Sequence, residues 1–268
     1  MPNMRSETHS EDNIMASRFF WYELMTTDVV AAENFYKAVV GWTSEPFGGS
    51  DMPYTIFNAG EQSVAGMMLL PEEAAEMGTP PCWLGYIHAA DTDAATRNVE
   101  KAGGSVHRQP SDIPGVGRFS VVADPQGAVF MLMTPMGPDS PPVPGTTPVH
   151  VGWHELYAAD YGAAFDFYAR EFGWTRVREV DMGEAGNYLG VDTAGADGDV
   201  GMMNKPPQMP SPFWQFYFTV PDISSVTKRI TENGGTITFG PMEVPGGSWV
   251  VNAQDPQGAH FALVAAKK

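Results

Sequence analysis

Apolar residues keep two rhythms along this chain. Runs such as "RFSVVA" (118–123), "AVFML" (128–132), "WVVNAQ" (249–254) and "AHFALV" (259–264) are short, apolar and bounded by turn residues, which predicts strands. Between them, apolar residues recur at helical spacing, as at Ala31, Phe35 and Val39 and again at Ala94, Val99 and Ala102. An aspartate, Asp28 or Asp91, stands just before each helical stretch as its N-cap, and Gly41 or Gly103-Gly104 ends it. With "SEPF", "YTIFNA" and "SVAGMMLL" as further strands, each quarter of the chain reads strand, helix and about three strands.

The pattern then repeats. "DPQGAVF" (124–130) returns as "DPQGAHF" (255–261), "WYELMTTD" (21–28) as "WHELYAAD" (153–160), and "NFYKAVVGW" (34–42) as "DFYAREFGW" (166–174). "VAGMM" (64–68) likewise returns as "DVGMM" (199–203). The offset stays at about 131–135 residues over a whole half, which predicts a domain duplication. Asp-Pro followed by Gly marks a tight turn, so each copy of the repeated phrase predicts a hairpin. The expected organisation is a disordered tail over 1–17, a domain over 18–134, a Pro/Gly linker over 135–148 and a second domain over 149–268.

Composition narrows the function. The 268 residues are 43% hydrophobic and 18% charged, as in an ordinary globular chain in which either half can bury a core. A formal charge of −17 repels phosphate, so no nucleic-acid partner is expected. The single cysteine, Cys82, excludes an internal disulfide framework and a Cys-based zinc site. No apolar run is long enough to span a bilayer and the N-terminus lacks a signal-peptide core, so a cytoplasmic protein without a membrane partner is expected.

Strand–Asp–helix with "FY…GW", a second strand–Asp–helix ending in "AGG", and the "DPQG" hairpin before a last strand together resemble the vicinal-oxygen-chelate superfamily. That superfamily includes glyoxalase I, extradiol dioxygenases and the bleomycin resistance proteins, and the wording is most similar to its tandem-domain glyoxalase-like subgroup. The resemblance covers nearly all of residues 18–265. It implies an α+β fold: two tandem domains, each of two βαβββ units forming a cupped mixed sheet with helices outside and the ligand on the concave face.

In metal-dependent members, His or Gln on the first strand of a unit and Glu or His on its last strand hold a divalent ion. The corresponding positions here are Trp21, Leu84, Trp153, Gln215, Met131, Ala262, Gly66 and Gly201. Only Gln215 among them coordinates a hard or borderline cation, and such sites need about three or more protein ligands. No metal and no other cofactor is expected.

Strand alternation assigns other residues to the cups. With Trp21 inward, Glu23 and Met25 follow; with Trp153 inward, Glu155 and Tyr157 follow. The same parity brings in Tyr86 and His88 beside Leu84, Tyr217 beside Gln215, and His260 beside Ala262. The expected ligand-binding set is Trp21, Gly66, Tyr86, His88, Met131, Trp153, Tyr157, Gly201, Gln215, Tyr217 and His260, with the glycines leaving room for a flat group and the tryptophans stacking on it. Glu23 and Glu155 are the expected catalytic carboxylates if the protein is an enzyme.

Each assignment has a structural counterpart. The tryptophans also suit a core between sheet and helix, and the glutamates also suit backbone capping or a pair with Arg118. His88 and His260, which have no histidine at the repeat-related position, also suit hydrogen-bonded sheet residues, and a bulge in either first strand would turn Trp21 and Glu23 away from the cup. The favoured function is metal-independent binding of a small planar organic molecule, of the sequestering resistance type, by a monomer or homodimer. The alternative is a glyoxalase-like lyase or isomerase acting on a small carbonyl compound with a glutamate general base.

Overall fold

The computed structural model describes residues 17–48, 53–137, 143–193 and 200–266. The first half contains β1 (Phe19–Thr26), α1 (Val29–Val39), β2 (Thr43–Pro46), β3 (Tyr54–Ala59), β4 (Gln62–Leu69) and a short α2 (Glu72–Glu76). It continues with β5 (Cys82–His88), α3 (Thr92–Lys101), β6 (Ser105–Ile113), β7 (Gly117–Ala123) and β8 (Val129–Pro135). The second half contains β9 (Val151–Ala158), α4 (Tyr161–Phe172), β10 (Thr175–Asp181), β11 (Asn187–Asp192) and β12 (Val200–Asn204). After these come β13 (Phe213–Thr219), α5 (Ile223–Glu232), β14 (Thr236–Glu243), β15 (Trp249–Gln254) and β16 (His260–Ala265).

Each half forms one eight-stranded sheet, ordered β2-β3-β4-β1-β5-β8-β7-β6 in the first and β10-β11-β12-β9-β13-β16-β15-β14 in the second. The two units of a half meet at the antiparallel β1–β5 or β9–β13 pair. The helices begin where the aspartates predict. Asp28, Asp91, Asp160 and Asp222 each accept a hydrogen bond from a first-turn amide, which satisfies one of the orphan donors there.

The irregularities in the first strands spare the site. In β1 the register shifts between Phe19 and Trp21, so Trp21, Glu23 and Met25 keep one face while Tyr22 and Leu24 take the other. In β9 the shift falls at Gly152, before Trp153. The alternation read from the sequence therefore holds at both sites.

The halves do not bury separate cores behind their sheets. The backs of both sheets and the helices on them share one apolar core, which joins Phe35, Tyr36 and Val39 of α1 to Phe218 and Phe261 of the second sheet. The helices lie on the convex faces as expected, but those faces meet.

The repeated hairpin has a role in this junction. Asp124 Oδ1 accepts from the amides of Gln126 and Ala128 and so closes its own turn. Its Oδ2 accepts from the Tyr168 hydroxyl of the other half at 3.1 Å, and Tyr168 accepts from Trp214 Nε1 at 3.0 Å. The mirror chain runs Trp83 to Tyr36 to Asp255, at 2.8 and 3.1 Å. Trp42 Nε1 also donates across the junction to the Val149 carbonyl, and Trp174 Nε1 to the Ser17 carbonyl. Ser17, read as the end of the tail, is thus a structural acceptor; the rest of that tail lies outside the described residues. The expected linker begins inside β8, at Pro135, and part of it also lies outside the described residues.

His154 faces the junction as well. Its ring stacks on Phe19 at 4.8 Å, and its Nε2 lies 2.5 Å from the Tyr22 hydroxyl. Like Tyr36, Tyr168, Trp42 and Trp174, it serves the shared core.

Candidate functional site

The concave face of each sheet carries the same four-residue chain. In the second half, Trp153 Nε1 donates to the Tyr188 hydroxyl at 2.8 Å, and that hydroxyl donates to Glu155 Oε1 at 2.8 Å. Glu155 Oε2 accepts from Tyr217 at 2.6 Å. In the first half, Trp21 Nε1 donates to Tyr54 at 3.1 Å, while Tyr54 and Tyr86 both donate to Glu23 Oε2, at 3.0 and 3.1 Å. These bonds explain how a carboxylate tolerates burial: its charge is met by phenol donors.

Burial, followed by the charge of Glu155, raises the Tyr188 and Tyr217 phenols well above their ordinary range, so they stay protonated donors. Tyr54 and Tyr86 are raised for the same two reasons, with Glu23 as the charge. Burial also raises Glu23; the bonds from Tyr54 and Tyr86 and the charge of Arg108 pull it part of the way back. Arg118, the suggested partner of these glutamates, pairs with Asp93 and Asp112 on the surface instead.

Tyr54 and Tyr188 are absent from the sequence-based set, and they correct the reading of the glycines. The room over Gly66 and Gly201 is filled by the protein's own rings. A Cβ built on Gly66 would stand 1.8 Å from the Tyr54 oxygen, and one on Gly201 1.8 Å from the Tyr188 oxygen. The signal was available: both tyrosines sit at matched places in the repeat, on the strand paired to the glycine strand.

The two cups differ in what surrounds this shared chain. In the first, Met25, Leu70, Leu84, Tyr86, Phe119, Met131 and Met133 form a closed apolar cluster, with Ala74 of α2 packed on it. Tyr86, His88 and Met131, expected to contact ligand, are buried there and do not line the open cleft. His88 instead packs its ring edge-on to Phe20. Burial pushes the Cys82 thiol up to about 12, which keeps it protonated and unreactive at neutral pH.

The second cup opens to a cleft of about 1900 Å³. Trp153, Glu155, Tyr157, Gln215, Tyr217 and His260 of the expected set all line it, together with Tyr188 and Asn252. Trp21 reaches the same cleft from the first half, while Gly66 and Gly201 do not. The replacements between repeats explain the opening. Register places Tyr157 where the first half has Met25, Gln215 for Leu84, Asn252 for Val121, and Ala262 for Met131. No helix like α2 follows β12 among the described residues; Pro206, Gln208 and Met209 there line the cleft instead. His260, at the exposed start of β16, hydrogen-bonds Gln254, and partial desolvation holds its pKa below the usual histidine value.

The donor set suits a metal ion poorly. Among the described residues no three His, Cys, Asp or Glu side chains cluster. In the open cup the one carboxylate has both oxygens engaged by phenols, and Gln215 is the other available oxygen donor at a family ligand position.

Residues 18–132 and 148–263 each match the family described as the Glyoxalase/Bleomycin resistance protein/Dioxygenase superfamily. The chain belongs to this superfamily. It is 31% identical over 263 residues to the Anthracycline biosynthesis protein DnrV of Streptomyces peucetius, with 91% of each chain covered. It is also 31% identical over 247 residues to "Putative glyoxylase CFP32" of Mycobacterium bovis, covering 91% of this chain and 93% of that one. Its fold is that of the 2,3-dioxygenase LapB from Pseudomonas sp. KL28, with a TM-score of 0.64 at 13% identity, covering 93% and 92% of the two chains. The Mn(II)-bound glyoxalase from Novosphingobium aromaticivorans superposes with a TM-score of 0.63 at 17% identity, covering 94% and 82%. At these identities the solved structures speak for the fold alone.

Proposed function

We propose that this protein binds a small planar organic molecule in the cup of its second domain, without a metal ion, while the first cup is a structural copy. The observation that carries this reading is the contrast between the cups. In one copy of the chain Tyr54, Glu23 and Tyr86 stay off the cleft, behind methionines and α2, and Trp21 alone of the four reaches it; in the other copy all four residues line the cleft. Aromatic walls with a few fixed polar groups suit a flat, partly oxygenated ligand. The name of the similar DnrV, which ties that protein to anthracycline biosynthesis, supports a ligand of this kind.

A lyase reading would use Glu155 as a general base. Both of its oxygens already accept phenol hydrogen bonds, which use part of the carboxylate's acceptor capacity and tie it to the wall of the cup. Glu155 is better suited to holding Tyr188 and Tyr217 in place than to taking a proton from substrate.

Calorimetric titration with fused-ring aromatics tests the proposal. Trp153→Ala is expected to weaken binding at least about tenfold, and Trp21→Ala to change it less than about twofold. Equal affinity for wild type and Trp153→Ala would remove the second cup as the site. One equivalent of tightly bound metal after purification without chelator would overturn the metal-independent part. Turnover of a carbonyl substrate that Glu155→Gln abolishes would favour the lyase.

A further inference from the structure

Two polar atoms in the second cup have no partner. Gln215 Nε2 and Asn252 Oδ1 are buried and make no hydrogen bond to any protein group. Their residues are 2% and 9% exposed, and both form part of the cleft wall. An unsatisfied buried polar atom is costly, and native structures carry few of them.

The fold does not require these residues to be polar. At the same register positions the first domain carries Leu84, opposite Glu23, and Val121, opposite Met131. Gln215 stands opposite Glu155, and Asn252 opposite Ala262. Same sheet, same carboxylate and same paired phenols accept apolar side chains in one copy and amides in the other. The closed copy has the apolar pair and the open copy has the amides. A polar group that weakens the free protein at the wall of an open cup is accounted for by a ligand that satisfies it.

Resting on the binding function proposed above, we infer that Gln215 and Asn252 are specificity-determining residues. They read a hydrogen-bond acceptor and a hydrogen-bond donor at two separate places on the ligand. Gln215 lies on β13 and Asn252 on β15, with β16 between them. That is two strand spacings, or about 10 Å at the backbone. A single carboxylate, amide or hydroxyl does not reach both. A fused-ring aromatic with a carbonyl on one part and a hydroxyl on another does. Gln215 donates its amide N–H to the carbonyl, and Asn252 accepts from the hydroxyl. Asn252 is held for this by its side-chain hydrogen bond with Tyr157.

The test uses three probes of one shape: 2,6-dihydroxyanthraquinone, its dimethyl ether, and anthracene. They are titrated into wild type, Gln215→Leu and Asn252→Val, substitutions that install the first domain's own residues. Wild type should prefer the dihydroxy compound over the ether by about tenfold, and Asn252→Val should erase that preference. Gln215→Leu should weaken both anthraquinones about tenfold and leave anthracene unchanged. Without ligand, Gln215→Leu should melt at or above the wild-type temperature, because it removes an unpaired buried group; Asn252→Val also loses the Tyr157 bond, so its melting temperature is not part of the test.

Preferences that survive both substitutions would overturn the inference. So would a Gln215→Leu variant that melts several degrees below wild type, since that amide would then be serving the fold. If no probe, anthracene included, binds wild type, the planar-ligand function itself fails. The ligand-free melting temperature of Gln215→Leu still decides the role of that amide: a value at or above wild type supports it and a fall rejects it.

Discussion

The two cups are an internal experiment on one architecture. Both place a glutamate under a tyrosine from a neighbouring hairpin strand, lock that tyrosine with a tryptophan N–H, and leave a glycine beneath the ring. One cup is packed shut and the other is open. What the cups share cannot account for their difference; on the proposed function, the residues that differ decide what is bound. This inverts the usual inference from a repeated motif, in which the matching residues mark the site. On the proposed function the mismatches carry the specificity instead: Tyr157, Gln215 and Asn252 line the cleft, and Ala262 stands where the first half has the bulkier Met131.

Exchanging those mismatches should break the contrast most strongly. A chain carrying Tyr157→Met, Gln215→Leu, Asn252→Val and Ala262→Met gives the second cup the first cup's walls. It is expected to lose ligand affinity by more than about a hundredfold while keeping its circular dichroism spectrum. Retained binding would show that the wall residues do not define the site.

Adding a methyl group under the tyrosines probes what the cups share. Gly66→Ala and Gly201→Ala force Tyr54 or Tyr188 off the sheet, and each should cost about 3 kcal/mol in urea unfolding. Only Gly201→Ala should also weaken ligand binding. Equal loss of binding from both would mean that the first cup contributes.

The junction should respond symmetrically. Tyr36→Phe leaves Trp83 Nε1 and Asp255 Oδ2 without a partner, and Tyr168→Phe does the same to Trp214 Nε1 and Asp124 Oδ2. Each should cost about 2 kcal/mol without changing affinity. A difference of more than about 1 kcal/mol between the two would show that the halves do not share the junction equally.

The smallest expected effect is in pH dependence. Burial raises the pKa of Glu23, and also of Asp124 and Asp255. A carboxyl raised in the folded state binds its proton more tightly there than in the unfolded chain. Its contribution to stability is fully present below the unfolded value and is lost as pH rises through the folded value. Melting temperature should therefore fall gently as pH rises from the ordinary carboxylate range toward neutrality, and Glu23→Gln should flatten part of that slope. A melting temperature that climbs over this range would contradict the upward pull of burial on these carboxyl groups.

Much of the fold was legible in the chain. The Asp caps, the glycine stops and the "DPQG" turns are local chemistry, each set by a few neighbouring residues. Parity placed Trp21 and Glu23, and Trp153 and Glu155, correctly because side chains alternate along a strand and the bulges fall outside those pairs. Tyr54 and Tyr188 escaped because their contacts run across strands about 30 residues apart, where alternation along one strand is silent. Which cup is open escaped for the same reason. It depends on how Met25, Leu84, Met131 and α2 fill one volume together, and no single residue announces that.

What the sequence determined by itself was the duplicated frame, because a repeat of caps, turns and alternating faces is written position by position. What only the tertiary structure decided was the use of that frame: two convex faces fused into one core, one cup filled and one left open. Those outcomes rest on volumes and on hydrogen bonds between residues distant in the chain, such as Tyr168 with Asp124 and Tyr36 with Asp255, which exist only once both halves are folded against each other.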